Sequence, residues 1–94
     1  MKPEPLKIYV DVRHERTAER FLRHGIRRGK DLDGCRLTER QRAIVCAYLG
    51  LDGLAPTSMP SLALVFKMTK QGIWCHLHAA LRRVQRYRYE TRPE

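Results

Sequence analysis

Apolar residues recur with helical spacing in the last third of the chain. After Ile73, apolar side chains follow at intervals of 4, 7, 8 and 11 residues. This pattern predicts a helix that begins after Thr69, reaches Tyr87 or beyond, and buries the face carrying those residues. The opposite, polar face of the predicted helix carries Lys70, Gln71, Trp74, Cys75, His78 and Arg82.

Two further helices are predicted in the first half of the chain. Residues 13–24 form the first, and Gly25 follows at the position of a left-handed C-cap. Residues 38–49 form the second, because Thr38 and Gln41 have the spacing of a capping box and an apolar stripe comes after them.

A helix-turn-helix is predicted at about residues 58–84. Ser58 caps its first helix, Pro60 falls in the first turn, and the helix ends near Phe66. Thr69 can cap the helix that follows, because its hydroxyl accepts a hydrogen bond from a backbone N–H of the next turn. Such a unit places its second helix in the major groove of DNA.

Residues 1–12 are predicted to form an arm outside the helical domain. Ile8 and Val10 lie on one side of a short alternating segment, which is the pattern of a β-strand. Two interpretations are open: the arm is extended and partly solvated, or it pairs with another protein or with a second copy of the chain to form a homodimer. In the second case Ile8 and Val10 are protein-interaction residues.

The predicted fold class is all-α, with one small helical domain over residues 13–94. Residues 27–30 are expected to be a flexible basic segment, and residues 31–35 a linker. Residues 85–94 are expected to be a basic, aromatic tail after the helix-turn-helix.

The charge balance favours an anionic partner. The chain has 19 Lys and Arg residues against 10 Asp and Glu residues, a net charge of +9. Nucleic acid is the first choice of partner, an acidic protein surface the second and a membrane surface the third. We expect a cytosolic protein with reduced thiols, because there is no membrane-length apolar run, no signal peptide and no close cysteine spacing.

Three motifs follow one another in the second half of the chain. Residues 37–42 read Leu-Thr-Glu-Arg-Gln-Arg, residues 50–53 read Gly-Leu-Asp-Gly, and residues 80–83 read Ala-Leu-Arg-Arg. The stretch of residues 37–84 resembles, without a gap, region four of the sigma factors of bacterial RNA polymerase, which reads the upstream promoter box. The resemblance covers about half of the chain. It implies a function in transcription, with double-stranded DNA and RNA polymerase core or a sigma factor as partners.

The resemblance also implies which residues contact DNA. The family starts its last helix with Thr-Arg-Glu-Arg, an apolar residue and Arg-Gln, whereas residues 69–75 here read Thr-Lys-Gln-Gly-Ile-Trp-Cys. Lys70 keeps the positive charge, Gln71 can pair with adenine N6 and N7, and Thr69 is a cap that can touch phosphate. The scaffold therefore matches the family more closely than the reading face does.

Trp74 lies one position from Ile73 and off the predicted core face. Tryptophan is enriched at the centres of protein interfaces, so Trp74 is a candidate anchor for a partner protein or a contact to a thymine methyl group. The alternative is that Trp74 packs beneath the N-terminal arm or helix.

Arginines at the end of the chain form a second candidate site. From Thr69 to Glu94 there are six Lys and Arg residues against two acids. They would contact phosphates beside the groove helix and fix its register; the alternative is a basic surface that serves solubility. The full set of candidate DNA-binding residues is Thr69, Lys70, Gln71, Trp74, Cys75, His78, Arg82, Arg83 and Arg86.

Neither a metal site nor an enzyme is expected. Cys75, His76 and His78 point in different directions on one helix, because successive residues are rotated by about 100°. There is no Cys-x-x-Cys pair, no glycine-rich phosphate loop and no nucleophile motif. We expect no cofactor.

The sequence therefore supports two alternative functions. The first is a DNA-binding module that reads a promoter-type site. The second is a phage-type regulator that uses the sigma-like scaffold to bind RNA polymerase or sigma without reading a promoter box. Because the resemblance excludes the promoter-melting region, the chain is not expected to act alone as a complete sigma factor. A packaging, transposition or partition protein is a third class, which the Gly-Leu-Asp-Gly loop disfavours.

Overall fold

The computed structural model describes residues 14–91, with their side chains from Thr17 onward. Within this range the chain is helical and contains no strand, which confirms the all-α fold class. The predicted arm, with Ile8 and Val10, lies outside the described residues. The helices are α1 (His14–Arg23), α2 (Glu39–Leu49), α3 (Met59–Phe66) and α4 (Lys70–Thr91), with a 3₁₀ turn at Gly29–Leu32 between α1 and α2.

The helices begin at the caps that the sequence predicts. At α2 the Thr38 hydroxyl accepts from the Gln41 N–H at 3.1 Å, and the Gln41 side chain accepts from the Thr38 N–H at 3.1 Å. At α3 the Ser58 hydroxyl accepts from the Ser61 N–H at 3.4 Å. Each bond satisfies a backbone donor that has no partner inside the helix.

α1 ends in the left-handed cap predicted at Gly25, where φ is +81°. The Gly25 N–H donates to the Leu22 carbonyl at 2.9 Å, and the Ile26 N–H donates to the Phe21 carbonyl at 3.2 Å. These are the two bonds of a Schellman motif. Ile26 is fully buried beyond the cap, so the motif also directs the chain back into the core.

The turn between α3 and α4 is short and uses a lysine in the left-handed region. Lys67 has φ +56° and ψ +49°, a conformation that costs roughly 1 kcal/mol for a residue with a Cβ atom. The Met68 N–H donates to the Ala63 carbonyl at 2.9 Å, and the partly buried Met68 packs against the core. These contacts hold the turn, and α2 packs against both helices of the predicted helix-turn-helix.

α4 lies at the centre of the fold, because α1, α2 and α3 all pack against it. The core combines side chains from every helix with residues from the connecting segments. Its fully buried members include Phe21, Ile26, Leu32, Ile44, Val45, Leu62, Ile73, Leu77 and Val84. Residues 85–91 of the predicted basic, aromatic tail form the last turns of α4, in agreement with the prediction that this helix reaches Tyr87 or beyond.

The segment between α1 and α2 is not the flexible linker that the sequence suggests. Leu32, the last residue of the 3₁₀ turn, and Cys35, three residues after it, are buried in the core. The Gly29 N–H donates to Asp52 Oδ1 at 3.0 Å, and one Arg42 Nη donates to the Gly29 carbonyl at 2.9 Å. The polar composition concealed this packing, because only two apolar residues anchor the segment.

Gly29 is required where the 3₁₀ turn meets the loop after α2. A Cβ atom at this position would lie 2.2 Å from Asp52 Oδ2. We expect Gly29→Ala to lower the free energy of unfolding by about 1–3 kcal/mol, because the Asp52 carboxylate must leave its backbone donor. Urea denaturation followed by circular dichroism measures the change.

Asp52→Ala and the double variant provide the control for this prediction. The cost of the double variant should be smaller than the sum of the single costs, since both changes remove the same hydrogen bond. A Gly29→Ala protein as stable as wild type, or stabilised by the roughly 0.4–1 kcal/mol that alanine gains at an unstrained site, would contradict this packing.

Candidate nucleic-acid interface

α4 begins at the cap that the sequence predicts for the second helix of the helix-turn-helix. Thr69 Oγ1 accepts from the Gly72 N–H at 2.9 Å, and the Ile73 N–H donates to the Thr69 carbonyl at 3.0 Å. Thr69 is therefore the N-cap, as predicted. Lys70 and Gln71 follow it in the first turn, and both side chains are exposed.

Exposed residues near both ends of α4 lie along one side of the helix, and we call this stripe the basic face; no residue between Cys75 and Arg82 is exposed. At about 100° per residue, positions 71, 75, 82 and 86 fall on one side of the helix. Gln71, Cys75, Arg82 and Arg86 are all exposed there. With a rise of about 1.5 Å per residue, the stripe is about 22 Å long.

The charge of this region is unopposed by acids in the sequence. From Gly53 to Tyr89 the chain contains no Asp or Glu. The basic residues in that stretch are Lys67, Lys70, Arg82, Arg83, Arg86 and Arg88. A local positive potential along α4 follows from this distribution.

Trp74 and His78 are not exposed, so the prediction that they lie on the polar face of this helix is wrong. Trp74 is 2 % exposed and His78 is 9 % exposed, and the two rings meet edge to face with centroids 4.6 Å apart. α4 buries a wider arc than its aliphatic residues indicate, because α1 packs on it in addition to α2 and α3. Trp74 is part of the hydrophobic core, which also includes Phe21 of α1.

Arg83 and Arg42 have partners inside the molecule. The Arg83 guanidinium donates to the Arg36 carbonyl, which links the middle of α4 to the loop before α2. Arg42 contacts both the Gly29 carbonyl and, at 3.1 Å, the Asp33 carboxylate. Among the predicted phosphate contacts, Arg82 and Arg86 are exposed and make no hydrogen bond or ion pair within the described residues.

Titratable groups near the end of α4 respond to burial and to Arg88. Burial and the nearby Arg88 charge lower the pKa of His24, and burial raises the pKa values of the Cys35 and Cys46 thiols. The Asp31 carboxylate accepts backbone N–H bonds from Arg27 and Arg28 at 2.9 Å, and these bonds lower its pKa.

The three cysteines differ in their exposure. Cys75 is exposed, Cys46 is half-buried and Cys35 is buried. Among the described residues, no three His, Cys, Asp or Glu side chains lie close enough together to hold a metal ion. None of the helices within residues 14–91 combines the length and the apolar character needed to cross a membrane.

Comparison with known proteins gives no relative for this chain. No family model, no curated protein and no solved structure matches it.

The burial of Trp74 generates a direct test. We expect Trp74→Ala to lower the free energy of unfolding by about 3–5 kcal/mol, as truncation of a buried aromatic residue does. Cys75→Ala, at the neighbouring exposed position, should change it by less than about 0.5 kcal/mol. Chemical denaturation measures the free energy of unfolding of both variants. A Trp74→Ala protein as stable as wild type would show that the Trp74 side chain is not buried in the core.

Proposed function

We propose that this protein is a helix-turn-helix DNA-binding protein that acts in transcription. The observation that carries the proposal is the basic face of α4, where Gln71, Cys75, Arg82 and Arg86 are exposed on one side of the helix that Thr69 caps. A recognition helix contacts base edges with its N-terminal residues and the phosphate backbone with flanking basic residues. The exposed residues of α4 occur in that order.

The residues of α4 take different roles in this proposal. Lys70 contacts a guanine edge or a phosphate, and Gln71 pairs with an adenine edge. Arg82 and Arg86 lie about 16 and 22 Å further along the helix and neutralise phosphates. Trp74 and His78 support α4 from within the core and do not touch DNA.

The resemblance of residues 37–84 to sigma region four supports a promoter-type target. The motifs that carry it include the Gly-Leu-Asp-Gly loop, whose Asp52 accepts the Gly29 N–H. We propose that the protein acts in the cytoplasm of a bacterium or of a phage-infected cell, as a non-enzymatic regulator.

The salt dependence of DNA binding tests the proposal. Affinity for a duplex should fall steeply with salt, and Arg82→Ala combined with Arg86→Ala should reduce the slope of log K against log salt by about 2, because each lost phosphate contact removes roughly 0.9. Fluorescence anisotropy with a labelled duplex at several salt concentrations measures the slope.

Lys30→Ala is the matched control for this measurement, because it removes an exposed positive charge from the 3₁₀ turn rather than from α4. Its slope should equal that of the wild-type protein. If Lys30→Ala reduces the slope as much as an arginine variant does, the slope reflects the total charge of the protein and not the basic face of α4.

An exposed apolar pair on α3 favours a second candidate function. Leu64 is 80 % exposed and Val65 is 69 % exposed, although both lie in a helix that packs against α2 and α4. Adjacent exposed aliphatic residues are typical of a protein contact. The partner in this second candidate is RNA polymerase core or a sigma factor, and the protein then regulates initiation without reading a promoter box.

Retention on RNA polymerase tests the second candidate. The intact chain should retain purified core enzyme or holoenzyme in a pull-down with nuclease present, and Leu64→Ser should abolish that retention. Leu54→Ser removes an exposed leucine of the loop after α2 and serves as the matched control. Retention that disappears with nuclease treatment would assign the contact to DNA.

A further inference from the structure

A polar cleft lies beside the second half of α4, and the sequence did not indicate it. Its volume is about 570 Å³, which is the size of a small-ligand site. One wall is the loop of residues 34–36, and the other consists of Arg83, Arg86, Tyr87 and Glu90.

The loop that forms the first wall has a fixed conformation. Gly34 has φ +87°, and a Cβ atom there would lie 3.0 Å from three atoms of the Tyr87 ring. Cys35 is buried in the core, and its N–H donates to the Leu32 carbonyl at 3.2 Å. The bond from the Arg83 guanidinium to the Arg36 carbonyl closes the wall against α4.

Three guanidinium groups and one carboxylate line the cleft, so its lining is positively charged. Within the described residues, neither the Arg36 nor the Arg86 side chain makes a hydrogen bond or an ion pair. Arg88 adds charge behind the loop, since it acts electrostatically on Cys35 and Asp31. A concave surface with unused planar donors suits an anion that can accept several hydrogen bonds.

We infer that the cleft between the loop of residues 34–36 and the end of α4 binds a phosphate group, with Arg36 and Arg86 donating to its oxygens. A doubly charged phosphate fits better than a carboxylate, because the attraction to three guanidinium groups exceeds the repulsion from Glu90, and this difference grows with the charge of the ligand.

The phosphate can come from either of two sources. The cleft is about 24 Å along α4 from Gln71, whereas the major groove is about 12 Å wide, so a DNA phosphate in the cleft would belong to a segment flanking the groove that α4 enters. That source rests on the proposed function. A free phosphorylated small molecule is the other source, and it is independent of DNA binding.

Nuclear magnetic resonance titration of the intact chain tests the inference. Pyrophosphate should shift the backbone amides of residues 34–36 and 83–91, and Arg36→Ala or Arg86→Ala should weaken its binding by about tenfold, the effect of losing one charge-assisted bond. Arg36→Ala keeps the carbonyl that Arg83 contacts, and it keeps a Cβ atom at a position whose φ is +64°. Lys30→Ala should bind pyrophosphate like the wild-type protein.

A parallel titration with a duplex distinguishes the sources. Shifts of the same amides by the duplex, reduced in Arg36→Ala, assign the phosphate to DNA; shifts by pyrophosphate alone assign it to a free ligand. The inference is overturned if neither probe shifts these amides, or if Arg36→Ala and Lys30→Ala behave alike with both. If the duplex shifts only the amides of Lys70 and Gln71, the proposed function stands and the phosphate site in the cleft is ruled out.

Discussion

α4 buries a wide arc of its surface, and the positions of the other helices depend on this burial. α1, α2 and α3 each pack against this helix, and no residue from Ile73 to Val84 on that arc is accessible to solvent to any large extent. Packing on three sides fixes the rotation of α4 about its axis. The exposure of Gln71, Arg82 and Arg86 and the burial of Trp74 are therefore two results of the same packing.

A second set of contacts joins the chain before α2 to the loop after it. Gly29 lies between the Asp52 carboxylate, which accepts its N–H, and the Arg42 guanidinium, which donates to its carbonyl. Arg42 also pairs with Asp33. The stretch of residues 37–84 is thus not an independent unit, because residues upstream of it complete the same core and satisfy polar groups of its loop.

The arginines of the second half differ in what they can do, although they look equivalent in the sequence. Arg83 is bonded to the backbone of the loop before α2, and Arg88 lies close to His24 and Cys35. Arg82 and Arg86 are exposed on the basic face. A positive surface next to a fixed helix start provides non-specific attraction and a defined orientation together, which is the combination that DNA binding requires.

The positions of the helices, their caps and the turn could be predicted from the sequence, because they depend on residues close together in the chain. Thr38 with Gln41, Ser58, Gly25 and Thr69 act locally, and all four were predicted. Three features follow from the tertiary packing alone: which side of α4 is exposed, the burial of Gly29, Leu32 and Cys35, and the cleft that Arg36 and Arg86 line. Those outcomes depend on which helices pack together, and the spacing of apolar residues within one helix carries no information about how many neighbours cover it.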